Sequence, residues 1–389
     1  MRASPWICTS LLALTLLLPA DANASRVVYV NTEPVTITAG MANDPTTDTV
    51  NVNGFTTTDF DGWSGATDEQ KAMLLALMKD TSVAFDIVYT LERPATGPYD
   101  MVVLGSADDH MSSFGGTCST QVGLQDCGDA NGAALAFAYW GCLDMDDQLD
   151  PERVAFHTLG ALGYGWGLEN VAGNGQIMSS WTNTALRWGD MCANLSNAPG
   201  TCMHAECATG EQNSSADLLA NLGARVDDGP PEIVVIEPLP GSDVTSPFNV
   251  VVDVVDAFGG ITAQIEIVDS GQPAVPDASF PYRWDNLALG NGPVTLRVSA
   301  TDADGGQASI DIPVCVGGGC PDTGDGDGDG DGDSGDGDSG DGETGETGGP
   351  VTTGGATDGG DKGCAVDSRG GTLGGLLVLG VLGLIRRRR

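Results

Sequence analysis

Only three histidines, His110, His157 and His204, occur in the 389 residues, so any imidazole chemistry must come from them. An imidazole can act as an acid–base group near neutral pH or as a metal ligand. His157 lies close in sequence to Asp147 and Glu152, an arrangement that could serve hydrolysis; with Glu169 or His110 it is a weak candidate metal ligand. Beside Phe156 and Leu159 on a helical stretch, it reads instead as a packed, hydrogen-bonded core residue. His204 falls between Cys202 and Cys207, in a small loop where clamping is expected rather than catalysis. No G-x-S-x-G elbow, catalytic-cysteine signature or paired-carboxylate motif is present.

A second pattern has the spacing of a catalytic site without its residue types. Gly160-Ala161-Leu162-Gly163-Tyr164-Gly165-Trp166-Gly167-Leu168-Glu169-Asn170, followed by Ile177-Met178, resembles the metzincin zinc-protease pattern H-E-x-x-H-x-x-G-x-x-H with its Met-turn. The resemblance places the three zinc positions at Gly160, Tyr164 and Asn170, the general base at Ala161, the turn glycine at Gly167 and the Met-turn at Met178. In that family zinc lowers the pKa of a bound water and the glutamate takes its proton. Here a hydrogen, a phenol, a carboxamide and a methyl group stand in those places. The expectation is a pseudoprotease with no catalytic residues and no zinc. Tyr164, Trp166 and Trp181 are expected to fill the emptied pocket, with Met178 as its floor.

The elements around these residues suggest one domain of mixed α and β structure over residues 25–226. Strands are expected at Arg26–Val30, Val35–Thr38, Val83–Leu91, Tyr99–Leu104 and Ala133–Trp140. Thr67-Asp68-Glu69-Gln70 is a capping box opening a helix through Met73, Leu74, Leu77 and Met78. Asp150-Pro151-Glu152 supplies an N-cap, a proline at the first helical position and an early acid. That helix runs through His157 toward Gly163 or Gly165. A last helix is expected over Ser214–Leu222. The order of elements is similar to that of the metzincin fold.

Residues 232–316 change to β-rich segments: Ile233–Ile236, Phe248–Val255, Ile261–Val268, Val294–Thr301 and Gln307–Val316. Together with the stretch from Pro281 to Asp304, they resemble bacterial immunoglobulin-like repeats, implying an all-β sandwich. No cysteine lies between Ile233 and Val314, which excludes an antibody-style core disulfide.

Both ends carry targeting signals. Residues 1–24, with Arg2, an apolar run Leu11–Leu18 and Ala22-Asn23-Ala24, read as a secretory signal peptide. Residues 317–363 form a disordered acidic Gly/Asp stalk. Calcium at Asp325–Asp333 is the lesser reading, since no EF-hand framing is present. In residues 364–389, Cys364 precedes the apolar run Gly370–Ile385 and a terminal cluster Arg386–Arg389. Sixteen helical residues rise roughly 24 Å, short of the ~30 Å hydrocarbon core, and the arginines orient the end toward the cytoplasm. This segment resembles the MYXO-CTERM sorting domain of myxobacteria. The resemblance implies a short transmembrane helix, a sorting protease, processing near Cys364, and delivery across the inner membrane to the cell surface or outer membrane.

A net charge of −38 and pI near 4.1 exclude a nucleic-acid partner, because no basic stripe could neutralise phosphates. Ten cysteines in an exported chain favour disulfides. Short separations suggest Cys118–Cys127, Cys202–Cys207 and Cys315–Cys320, leaving Cys142–Cys192. Three functional expectations follow. The first is a surface-displayed, non-catalytic binding protein that holds an extended peptide or protein ligand. The second is an extracellular hydrolase with an atypical site. The third is an adhesive or structural surface protein acting through the immunoglobulin-like domain.

Overall fold

A computed structural model describes residues 25–318 except 174, 180–184, 227–228 and 278–279. The signal peptide, Trp181, the stalk and its calcium reading, Cys320, Cys364 and the sorting segment therefore lie outside the described residues. The first half comprises β1 (Arg26–Asn31), β2 (Val35–Ala39), β3 (Thr49–Val50), β4 (Thr58–Phe60), α1 (Asp68–Thr81), β5 (Ile87–Thr90) and β6 (Asp100–Gly105). It continues with α2 (Ala107–Ser113), β7 (Gln121–Val122), β8 (Leu135–Tyr139), α3 (Pro151–Gly165), β9 (Ala193–Asn194), β10 (Glu211–Gln212) and α4 (Ser214–Leu222).

The main sheet has the order β5-β1-β6-β8-β7, parallel except for β7, which runs antiparallel at its edge. Every residue of β6 and β8 is buried, as parallel strands covered on both faces require. Side chains alternate between two cores. Val28, Val30, Val102, Leu104, Ala136 and Ala138 meet α1 and α3 on one face. Tyr29, Met101, Val103, Leu135, Phe137 and Tyr139 meet the small sheet β3-β2-β4 on the other.

The expected capping signals form as read. Thr67 and Gln70 make a reciprocal box at α1, and Asp150 caps α3 ahead of Pro151. Two local expectations change. The strand predicted from Val83 starts at Ile87, because α1 persists to Thr81 and the chain must turn, with Phe85 N–H donating to the Ser82 carbonyl at 3.0 Å. Helix α2 was not foreseen, although Ser106 and Asp109 form a capping box there.

The second half is all β: β11 (Glu232–Glu237), β12 (Asp243–Val244), β13 (Phe248–Val255), β14 (Thr262–Ile267), β15 (Val275–Asp277), β16 (Tyr282–Leu287), β17 (Gly292–Thr301) and β18 (Gln307–Val316). Two sheets, β11-β13-β16 and β12-β18-β17-β14-β15, enclose one core that includes Val252, Trp284, Leu296 and Ile312. Strand β16 is not among the strands expected from the sequence; only Tyr282 and Trp284 of its six residues are buried, alternating with polar ones.

The halves are pinned together. Lys79 Nζ donates to the Asp256 carbonyl at 2.6 Å, and Gly260 N–H donates to Asp80 Oδ1 at 2.8 Å. Arg225 pairs with Asp304 at 2.7 Å, donates to the Gly259 carbonyl at 3.0 Å and lies 4.8 Å over the Phe258 ring. A Cβ on Gly259 would meet the Lys79 backbone at 2.3 Å, so main chain packs on main chain at this contact.

Three of the expected pairings, Cys118–Cys127, Cys202–Cys207 and Cys142–Cys192, are overturned, while Cys315–Cys320 falls partly outside the described residues. The bonds are Cys118–Cys142, Cys127–Cys202 and Cys192–Cys207, with Cα atoms 5.6, 5.1 and 5.7 Å apart. Cys315 is also disulfide-bonded. Cys127 follows β7 and Cys202 lies between β9 and β10, so the chain's path through β8 and α3 brings residues 75 positions apart to bridging distance, which proximity in sequence could not indicate. Three disulfides fit an oxidising, extracellular setting. Among the described residues no helix is long and apolar enough to cross a membrane.

Within the core, Asp100 is fully buried: its Oδ2 accepts from Trp166 Nε1 at 2.8 Å, and its Oδ1 accepts from the Ala134 N–H at 2.7 Å and faces Arg26 at 3.4 Å. Asp100→Ala strands the Trp166 indole N–H and the Ala134 N–H inside the protein and leaves Arg26 paired with Asp129 alone. Loss of about 3 kcal/mol of unfolding free energy is expected in denaturant titrations. A change within a few tenths of a kcal/mol would show the network to be dispensable.

Candidate functional site

Helix α3 carries the motif positions on a face made of small residues. A Cβ on Gly160 would stand 2.3 Å from Gln121 Oε1, and one on Gly163 would stand 2.6 Å from Met178 Sδ. Gln121 of the edge strand and the fully buried Met178 therefore press directly on the helix backbone. The helix ends in a Schellman turn. Leu168 N–H donates to the Gly163 carbonyl at 2.9 Å, and Gly167 N–H donates to the Tyr164 carbonyl at 3.2 Å. Gly167 takes φ +88°, a conformation that costs glycine little. This turn redirects the chain so that Asn170 returns to the helix.

Three of the motif positions thus converge. The Tyr164 hydroxyl donates to Asn170 Oδ1 at 2.9 Å, and Gln121 Nε2 donates to the Tyr164 oxygen at 3.5 Å. Burial raises the Tyr164 pKa, against the opposing effect of the Gln121 and Asn170 hydrogen bonds. Ala161 is fully buried and offers no base. A neutral phenol, a carboxamide and a glycine lack the three basic donors that zinc takes in its sites, so the residues do not fit the metal. Among the described residues no group of three or more His, Cys, Asp or Glu is placed to hold a cation. In front of Tyr164 and Asn170 lies an open polar cleft of about 320 Å³, bordered by Thr120, Gln121, Phe156 and Ser196.

Trp166 departs from its expected place. It is fully buried, but against Asp100 and Trp188, with ring centroids 6.2 Å apart in the latter pair. Of the aromatic residues expected to fill the pocket, Tyr164 borders the cleft; Phe156, which is not among them, borders it as well.

The histidines do not meet. His110, on α2, packs edge-on to Tyr139 at 4.8 Å, on the face of the sheet opposite α3. His157 is 6% exposed and packs edge-on to Phe156 at 5.1 Å. Contrary to expectation, its Nδ1 makes no hydrogen bond. Asp147 is engaged by Arg153 at 3.6 Å, and Glu152 is exposed. Burial, reinforced by the Arg153 charge and opposed by Asp147, lowers the His157 pKa to about 4.

The carboxylate preceding Asn170 has an organising role that the sequence reading missed. Glu169 accepts from the Thr201 N–H at 2.9 Å, the Thr201 hydroxyl at 2.8 Å and the Cys202 N–H at 3.0 Å. His204 bridges Glu169 Oε2, 3.3 Å from its Nε2, and Asp217 Oδ2, 2.8 Å from its Nδ1. Burial works to raise the Glu169 pKa, yet the donors from Thr201, Cys202 and His204 hold it below the ordinary value. Burial dominates at Asp217 and raises its pKa despite His204. Both ring nitrogens of His204 face carboxylates, leaving neither for a substrate proton. The loop-clamp reading describes this geometry, with the clamp closed by Glu169 and Asp217 rather than by a Cys202–Cys207 bond.

No protein-family model and no characterised protein matches the sequence. Among solved structures, the fibronectin(III)-like modules of CbhA from Clostridium thermocellum are 17% identical, covering 22% of this chain and 94% of that one, at a TM-score of 0.19. Wild-type OgpA from Akkermansia muciniphila is 11% identical, covering 75% of this chain and 94% of that one, at 0.23. A Cellulomonas fimi endo-β-1,4-mannanase double mutant is 10% identical, covering 64% and 59%, at 0.18. These scores carry no functional argument.

Two outcomes are expected. A histidine whose folded pKa lies near 4 against about 6.5 when unfolded contributes fully above pH 6.5 and loses its contribution as pH falls toward 4. Up to about 3 kcal/mol should disappear across that window. His157→Gln should flatten this part of the curve in denaturant titrations, and an unchanged slope would assign the acid sensitivity elsewhere. Glu169→Ala should loosen residues 200–207, at a cost of about 2–4 kcal/mol, seen as fast amide exchange at Thr201 and Cys202; retained protection there would refute the clamp.

Proposed function

We propose that this chain is an exported, non-catalytic binding protein built on a metzincin-like scaffold that has lost its metal chemistry. The observation that carries this reading is the closure of the motif positions on one another. Tyr164 bonds Asn170, and the Gln121 carboxamide occupies the space in front of Gly160. Neutral hydrogen bonds stand where the family pattern has a cation and its base. The sequence pattern and the Schellman turn at Gly167 support the scaffold assignment.

A binding role is supported by the sheet edge. Strand β7 is the antiparallel outer strand, and Gln121 borders the cleft with Tyr164 and Asn170. An extended peptide can pair its backbone with such an edge and set alternate side chains in the cleft, which requires no metal. The proposed occupant is a peptide or an extended segment of a partner protein. The hydrolase alternative through His157 lacks a comparable observation, since that ring is buried and Arg153 engages Asp147.

The three disulfides support an extracellular location. Surface display through the MYXO-CTERM-like end is part of the proposal and rests on the sequence of residues 364–389.

Elemental analysis of the secreted chain should find zinc well below one equivalent after dialysis, and casein should survive incubation with it. An extended-peptide library should yield binders whose retention is unaffected by a chelator and weakened by Gln121→Pro, which removes a β7 N–H donor. Stoichiometric zinc with chelator-sensitive cleavage would overturn the proposal.

A further inference from the structure

Between the two halves lies a cavity of about 250 Å³, separate from the cleft at Tyr164. Leu75, Ala76 and Leu91 face it from the first half; Phe258, Ile261 and Phe280 face it from the sandwich. Tyr282 also lines it, its ring edge-on to Phe280 at 6.4 Å and its hydroxyl donating to the Ile261 carbonyl at 3.4 Å. Mostly apolar pockets with a few convergent polar groups, placed where two folded units meet, are the usual form of small-molecule sites.

The polar part of the lining has one dominant sign. Asp80, Asp253 and Asp256 border the cavity against a single cation, Lys79, whose ammonium donates to the Asp256 carbonyl. Asp80 accepts the Gly260 N–H, and burial raises its pKa. Burial raises the Tyr282 pKa as well, and the charges of Asp80, Asp277, Asp253 and Asp256 add to the effect. An anion entering here would meet that field unfavourably. Asp80 and Asp256 each accept a backbone N–H, from Gly260 and Phe258; a neutral hydrocarbon would use the walls but not the negative field, whereas a cation with an apolar body uses both.

We propose that the seam cavity binds a small organic ammonium, its aromatic or branched body against Leu75, Phe258 and Phe280 and its charged head toward Asp80 and Asp253. Both halves contribute to the site, so the ligand binds only the docked arrangement and stabilises it by mass action. This site is independent of the peptide-binding proposal; either can fail without the other.

The test uses the full secreted chain and calorimetric titration with tryptamine, a cation at neutral pH. Indole-3-propionate, which carries the same ring on a carboxylate, is the comparison. Tryptamine should bind at one site, about tenfold or more tighter than the propionate, and more weakly at high salt. Asp253→Asn should weaken tryptamine about threefold, while Asp243→Asn, an exposed carboxylate outside the cavity lining, should leave it unchanged. Ala76→Phe should abolish binding by filling the space. If that variant does not fold, the Asp253→Asn and Asp243→Asn pair decides. Equal binding of both indoles, no saturable tryptamine binding at millimolar concentration, or equal effects of the two asparagine variants would overturn the proposal.

Discussion

The small-residue face of α3 sets the distances on which the remaining geometry depends. With hydrogens at Gly160 and Gly163, the helix backbone comes within direct reach of Gln121 and Met178; at Gly165 an added Cβ would lie 2.5 Å from that of Ala134. Side chains at these positions would hold the edge strand, the segment carrying Met178 and the sheet away from the helix. The same close packing leaves no room for an imidazole between Gly160 and Gln121. Close packing at Gly160 thus adds a steric obstacle to the lack of basic donors at Tyr164 and Asn170.

Polar side chains and disulfides join the segments after α3. Glu169 gathers the N–H groups of Thr201 and Cys202, His204 links it to Asp217 on α4, and Gln212 pairs with the Glu169 backbone in both directions. Cys127–Cys202 attaches this loop to the segment after β7. A carboxylate whose oxygens are surrounded by donors is strongly held, and breaking one member leaves a charge insufficiently solvated. The cleft wall is thus rigid by virtue of the clamp, while the groups facing the cleft at Tyr164 and Asn170 are neutral.

The sandwich is docked through the end of α1 and through Arg225, with glycine backbone against helix backbone at Gly259. That contact makes the second half part of the environment of the first, and residues of both halves line the partly open, largely apolar cavity between them.

The sequence by itself determined the local features. The caps at Thr67 and Asp150 and the extents of α4, β13 and β18 all follow from short-range rules, while the turn at Gly167 is placed by the family resemblance. The replacement of ligand and base types at Gly160, Ala161, Tyr164 and Asn170 was equally plain. Helix α2 was also readable from Ser106 and Asp109, but its short length leaves little apolar periodicity to reveal it. Only the tertiary structure decided which cysteines pair, that Trp166 turns to Asp100 rather than to the cleft, and that Glu169, His204 and Asp217 form one clamp. These depend on contacts between residues from 13 to 75 positions apart. The path of the chain between such partners sets their distance, and capping, periodicity and spacing describe only what lies within a few turns.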